Sequence, residues 1–242
     1  MLDLKLKRLV VILAHPDDES FAVGGTLAKY AQQGVQVTLL CATRGEAGIP
    51  GLQPVEAGAI REQELRAAAK HLGIEVEFLG YRDGELSKAN PFRLLHTLKN
   101  WMALIKPQVI ITFGPEGVSG HPDHVTISHA VTKAYDEGYH QGKLLYIRPS
   151  EATSLGCGVS APIDESDKSL VTVDISEYTL EKVRAIQSHE SQNPGLSGIP
   201  EEEVDKIPCF EAFTVARDVE LNQKSLEWFE LAKEEQTRPS PL

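Results

Sequence analysis

Two short strings hold the residue types that could do chemistry: His15-Pro16-Asp17-Asp18-Glu19 and, far along the chain, Gly120-His121-Pro122-Asp123-His124. The first crowds a histidine and three acids into one turn, where burial is costly unless a cation or protons compensate them. The second sets two histidines three apart at the start of a helix, so their side chains share a face. Each has a plain structural reading when taken alone, because acids cap helix N-termini and Pro122 suits a first helical turn. The recurrence of His-Pro-Asp argues instead for one shared metal. One imidazole from the first turn, one carboxylate and one imidazole from the second make a three-donor set that suits zinc and leaves a position open for catalysis. His15, Asp17 and Asp18 cannot all reach one ion from so tight a turn, so one carboxylate stays free. A carboxylate beside the ion can act as general base, and a histidine beside it can stabilise an oxyanion or protonate a leaving amine. That is equipment for amide hydrolysis.

The surrounding pattern says how such turns meet. Leu9–Ala14 is an unbroken aliphatic run of the kind found in strands buried on both faces, and it ends abruptly at His15. A helical spacing follows over Glu19–Gln33, then a second buried run at Val35–Ala42, which closes a βαβ unit. The alternation continues with a helix near Glu56–Leu72, a strand near Val76–Gly80, a helix near Phe92–Ile105 and a strand at Val109–Phe113. A helix over Pro122–Tyr135 and a strand at Leu144–Ile147 complete the series. The fold class expected is α/β: a Rossmann-like, doubly wound, mostly parallel sheet with helices on both faces, a three-layer sandwich. Both His-Pro-Asp strings then stand just beyond strand ends, where open α/β sheets bind ligands. Past Arg148 the spacing predicts a long loop over 149–167, a strand near Leu170–Val173, a helix over Ser176–His189, a strand over Phe210–Ala216, a short helix over Ser225–Lys233 and a disordered tail. One domain is expected, with its core over about residues 8–220.

These strings resemble those of the zinc-dependent deacetylases of the LmbE-like, or PIG-L, type, which remove acetyl groups from N-acetylglucosamine units. The resemblance rests on AHPDDE at 14–19 and GHPDHV at 120–125. It is supported by TRGE at 43–46, REQELRAAAKHLG at 61–73, YRDG at 81–84 and HESQ at 189–192. It implies one zinc bound by His15, Asp18 and His124, with Asp17 as general base and His121 as electrophilic or acid partner. Asp123 would orient a histidine from behind the site. Arg44 and Asp83 resemble residues that hold sugar hydroxyls, although such turns are often surface turns with a local ion pair. His189 has three readings: lining the pocket, approaching a neighbouring subunit's pocket, or closing a helix C-terminus. His71, His96, His129 and His140 lack partners at ligand spacing and read as surface or core. Gly24-Gly25 reads as close backbone packing rather than a phosphate loop. Where some family members carry a tyrosine before the second string, this chain has Ser119. The resemblance also implies a homo-oligomer, such as a hexamer.

Composition narrows the partners. Among 242 residues, 35 Asp and Glu against 24 Lys and Arg give a net charge of -11, which repels phosphate backbones and anionic membranes. The charge argues against nucleic acid and membrane as partners, and the family resemblance implies a small-molecule amino sugar. Cys41, Cys157 and Cys209 are widely spaced without a CxxC pair, consistent with a reducing cytoplasm. The apolar run at Leu9–Ala14 is too short for a signal h-region or a membrane span. A nucleotide-binding Rossmann domain lacks its GxGxxG after the first strand. Two further alternatives remain: an amidase acting on a glucosamine-containing thiol conjugate, and a non-catalytic, metal-containing sugar-binding protein.

Overall fold

The first strand, β1 (Arg8–Leu13), lies in the middle of the sheet because every residue from Leu9 onward is aliphatic and can be buried from both sides. In the computed structural model, which describes residues 7–139, 141–148, 169–192, 209–218 and 229, seven strands form one sheet in the order β3-β2-β1-β4-β5-β7-β6. The others are β2 (Gln36–Cys41), β3 (Glu75–Phe78), β4 (Val109–Phe113), β5 (Lys143–Ile147), β6 (Leu170–Asp174) and β7 (Phe210–Asp218). Strands β1 to β5 pair in parallel, with Val10 opposite Thr38 on one side and Ile110 on the other. The mostly parallel, doubly wound sheet expected from the sequence is therefore present. Strand β7 runs antiparallel between β5 and β6 and bulges at Ala216, opposite Leu144 and Leu145 of β5, a strand insertion that no local pattern announces.

From β1 the chain steps outward through β2 to β3 and then returns to place β4 on the other flank of β1. The winding reverses between β1 and β4, and the crevice beyond their carboxyl ends is where doubly wound sheets take ligands. Both His-Pro-Asp strings open onto it.

Six helices flank the sheet among the described residues: α1 (Asp18–Gln32), α2 (Pro54–Leu72), α3 (Pro91–Ile105), the single turn α4 (Gly117–Gly120), α5 (Pro122–Ala134) and α6 (Thr179–Gln187). Helix α2 starts at a Gln53/Glu56 capping box with Pro54 in its first turn, and ends on a left-handed Gly73. Asn90 caps α3, its side chain accepting from the Phe92 and Arg93 N–H groups. Helices α1, α2 and α6 pack together, as do α3 and α5. No helix among the described residues is long and apolar enough to cross a membrane.

The helix expected over 176–189 is shorter. The Asp174 carboxylate accepts from the Ser176 N–H and hydroxyl, a 3-10 turn follows over Ser176–Tyr178, and α6 ends at Gln187. His189 thus stands in the turn beyond the helix. The expected loop over 149–167 and the C-terminal tail lie outside the described residues, as does the expected 225–233 helix apart from Phe229.

Gly24 and Gly25 are needed for close packing. A Cβ on Gly25 would stand 2.5 Å from the Ile175 side chain, and one on Gly24 would stand 3.2 Å from Lys182. Into this gap comes a fully buried ion pair, Lys182 Nζ to Glu211 Oε1 at 2.6 Å. Glu211 accepts from the Gly25 and Thr26 N–H groups of α1, while Lys182 donates to the Phe21 carbonyl. Removing one partner of a buried pair of this kind costs about 3–5 kcal/mol.

Candidate active site

Three groups converge at the β1/β4 crevice. His15 Nδ1 lies 3.2 Å from His124 Nε2, His124 Nε2 lies 3.3 Å from Asp18 Oδ1, and His15 Nδ1 lies 3.7 Å from Asp18 Oδ2. Donors held about 2.0–2.1 Å from a tetrahedral zinc stand roughly 3.3 Å from one another, so this triangle has the right size for such an ion.

Hydrogen bonding tells which ring atoms are free to bind. His124 Nδ1 faces the Gly117 carbonyl at 3.1 Å, and a carbonyl only accepts, so Nδ1 carries the hydrogen and Nε2 keeps its lone pair. His15 Nε2 faces Asp83 Oδ1 at 2.9 Å and Asp123 Oδ2 at 3.3 Å, so it carries a hydrogen too and leaves Nδ1 toward the triangle. Two ring nitrogens that would otherwise oppose lone pairs therefore meet beside a carboxylate, an arrangement that requires a proton or a cation between them. Burial lowers the His15 pKa, but Asp123, Asp83 and Asp18 outweigh it and raise it to about 10. A divalent ion in the triangle would take over from that proton.

His121 is a different case, although its ring nitrogen also lies within 4.8 Å of those of His15 and His124. It caps α5 by accepting the Asp123 N–H at its Nδ1, 3.2 Å away. Its neutral ring must carry the hydrogen on Nε2, which makes it a donor rather than a metal ligand. The ring is exposed and meets His15 edge-on with centroids 4.8 Å apart. Burial, together with the charges of His15 and His124, lowers its pKa and keeps it neutral.

Asp17 shares the first turn with Asp18, but its carboxylate is held by a different partner. Its Oδ2 accepts from Arg61 Nη2 at 3.1 Å, and the same guanidinium reaches the carbonyls of Pro16 and Gly45. Burial and the neighbouring Asp18 charge push the Asp17 carboxyl up to about 7, with Arg61 opposing. That is a favourable value for a general base at neutral pH. Sequence reasoning missed Arg61, yet a signal was there. It occupies the buried stripe of α2 among Ala57, Leu65, Ala68 and Leu72, where a cation belongs only if something binds it.

The remaining sequence candidates separate clearly. Asp123 is fully buried and accepts from the Gly84 and Leu86 N–H groups as well as facing His15; against burial, these contacts lower its pKa. Asp83 is not open to a sugar: its side chain is 8% exposed, one oxygen lies against His15 and the other accepts the Ala47 N–H. Against the push of burial, His15, the Ala47 N–H and Arg61 hold it at about 2. His189 is also not a pocket residue. It is fully buried, with Nε2 2.8 Å from Glu19 Oε1, and so offers no surface to a substrate. Arg44 stays on the rim with its side chain 54% exposed, paired to Glu62 at 3.0 Å over the Phe78 ring. The Ser119 hydroxyl lies 3.3 Å from His124 Nδ1. His71, His96 and His129 are exposed, and His140 lies outside the described residues.

Comparison with known proteins gives this site its context. Residues 10–135 match the family described as "PIG-L: GlcNAc-PI de-N-acetylase". The "Probable N-acetyl-alpha-D-glucosaminyl L-malate deacetylase 2" of Bacillus anthracis is 31% identical over 192 residues, covering 77% of this chain and 81% of that protein. A 1D-myo-inositol 2-acetamido-2-deoxy-α-D-glucopyranoside deacetylase of Mycobacteroides abscessus is 30% identical, again covering 77% and 81%. Among solved structures, an N,N'-diacetylchitobiose deacetylase from Pyrococcus horikoshii superposes with a TM-score of 0.63 at 24% identity, covering 86% of this chain and 83% of its own. A 4-carboxy-2-hydroxymuconate hydratase from Pseudomonas putida superposes as well, with a TM-score of 0.64 at 20% identity over 88% of this chain and 97% of its own, so the shared fold does not fix the reaction. Sequence supplies what the fold leaves open, and the class is amide hydrolase. The chain belongs to the PIG-L, or LmbE-like, family of de-N-acetylases.

Proposed function

We propose that this protein hydrolyses the N-acetyl group of a small N-acetylglucosamine-containing molecule to give acetate and a free amine. His15, Asp18 and His124 hold a divalent ion, with zinc as the first choice. The carrying observation is the meeting of His15 Nδ1 and His124 Nε2 at 3.2 Å beside Asp18, with Asp17 on the same turn held by Arg61. When bound, the ion would supply Lewis acidity toward the acetamide carbonyl and toward water. Asp17 takes the proton from the attacking water, and that proton returns to the amine nitrogen as the C–N bond breaks. Arg61 fixes the Asp17 carboxylate from behind. His121 Nε2–H donates to the oxyanion that develops on the carbonyl oxygen. Asp123 and Asp83 hold the His15 ring, so Asp83 moves in this reading from sugar contact to ligand orientation. Arg44 remains the substrate contact on the rim.

The test is acetate release from free N-acetylglucosamine, N,N'-diacetylchitobiose, and the malate and myo-inositol conjugates of N-acetylglucosamine, by zinc-reconstituted protein. Release from one of them, abolished by a chelator and restored by metal, is the expected result. Silence across the panel with zinc bound would leave the thiol-conjugate amidase or a sugar-binding role in its place. The proposal includes a cytoplasmic homo-oligomer, and a monomer by light scattering at micromolar concentration would remove the assembly.

A further inference from the structure

We infer that Glu19 and His189 form a positioning pair that holds the backbone of Asp17 in the conformation its role as base requires. This rests on the deacetylase reading above. Asp17 has φ 104° and ψ −33°, a region that non-glycine residues occupy only when their surroundings over-determine it. Its carbonyl accepts from the Ser20 and Phe21 N–H groups at 3.0 and 3.2 Å, and Arg61 takes its carboxylate. Its own N–H donates to Glu19 Oε2 at 3.1 Å.

Glu19 is fully buried, and its other oxygen accepts from His189 Nε2 at 2.8 Å and from the Ser20 hydroxyl at 2.5 Å. The opposite ring nitrogen, His189 Nδ1, is buried without a hydrogen-bond partner among the described residues. A fully buried histidine whose ring has a single polar tie is placed there for that tie. Its turn is anchored in turn: the Ser191 N–H and hydroxyl donate to the Glu64 carboxylate, each at 2.7 Å, and Gln192 Nε2 donates to the Gly48 carbonyl at 3.2 Å. Glu64 and Arg61 lie on the same helix, α2. One helix therefore grips Asp17 by its carboxylate directly and by its N–H through His189 and Glu19.

His189 is fully buried and its one ring hydrogen bond among the described residues goes to Glu19, so it acts through Asp17 rather than on substrate. His189→Leu should lower kcat about 10- to 100-fold, the scale of a misplaced catalytic group, with KM and bound zinc within about twofold of wild type. His189→Gln, which keeps a donor able to reach Glu19, should recover most of the loss, whereas the shorter His189→Asn should not. In an Asp17→Asn background, adding His189→Leu should cost nothing further in kcat, because the group it positions is already gone. The inference is overturned by fully additive losses, by a rise in KM at constant kcat, or by wild-type kcat in His189→Leu. If His189→Leu fails to fold, the Gln and Asn variants carry the test, and equal kcat in the two rejects it. The variants are read on whichever of the four acetylated substrates the wild type hydrolyses, and a zinc-loaded wild type inactive on all four rejects the deacetylase reading itself. An active wild type with indifferent His189 variants rejects only the positioning pair.

Discussion

The two His-Pro-Asp turns use the same three residue types for opposite purposes. After β1, the histidine enters the metal triangle and the aspartate, Asp17, sits outside it, pushed up to about 7 by burial and by Asp18. After β4, the histidine stays outside and caps a helix. There the aspartate, Asp123, is sealed behind the triangle and driven down by His15 and two backbone N–H groups despite its burial. The fourth residue of each string, Asp18 or His124, completes the triangle. A motif thus fixes which groups are available, while backbone conformation and hydrogen-bond partners decide what each one does. In the first turn Asp17 has φ 104° and its carboxylate accepts from Arg61; in the second, Asp123 lies on a regular helix and is fully buried.

Exchanging each aspartate for asparagine tests this contrast most strongly. Asp17→Asn should retain zinc and lose about 10²- to 10⁴-fold in kcat, the usual scale of a missing general base. Asp123→Asn should instead weaken zinc affinity about 10- to 100-fold and destabilise the fold by about 1–3 kcal/mol, since one of the two N–H groups that Asp123 accepts from loses its acceptor. Parallel metal titration and steady-state kinetics separate the two patterns, and identical phenotypes would erase the distinction.

The next effect concerns pH. His15 titrates near 10 in the metal-free protein, above its ordinary 6.5, so at neutral pH a proton occupies the place where the ion would bind. Zinc affinity should therefore rise about tenfold per pH unit between about pH 7 and 9, as measured by competition with a chromogenic chelator. The sign for the metal-free fold is opposite. Stability conferred by protonated His15 is complete below pH 6.5 and is lost as pH rises through about 10. The smallest effect is expected at Ser119. Because the Gly117 carbonyl already holds His124 Nδ1 at 3.1 Å, Ser119→Ala should change zinc affinity by no more than about threefold.

Much of this was legible in the sequence for a definite reason. Buried runs rich in β-branched and aliphatic residues, such as Leu9–Leu13 and Val109–Phe113, mark strands covered on both faces, and a chemical string beyond the end of each implies a common crevice if the two strands adjoin. Groups whose role depends on distant partners could not be read in this way. Arg61 sits in mid-helix without a motif, Asp83 turns inward because His15 is there to meet it, and His189 faces a carboxylate 170 residues away in the chain. The placement of β7 between β5 and β6 belongs to the same category, since strand order is decided by tertiary pairing rather than by local pattern.

The Lys182–Glu211 pair ties the beginning of the chain to its end. The Gly25 N–H finds its carboxylate 186 residues downstream, on a strand that leaves the ribosome long after α1 has emerged. Until that strand is made, the Gly25 and Thr26 N–H groups of α1 lack the carboxylate that accepts from them in the folded protein. The arrival of β7 therefore acts as a completion signal. A chain cut short before residue 210 would carry both His-Pro-Asp turns and still lack the bolt that fixes the helix rising from the first of them.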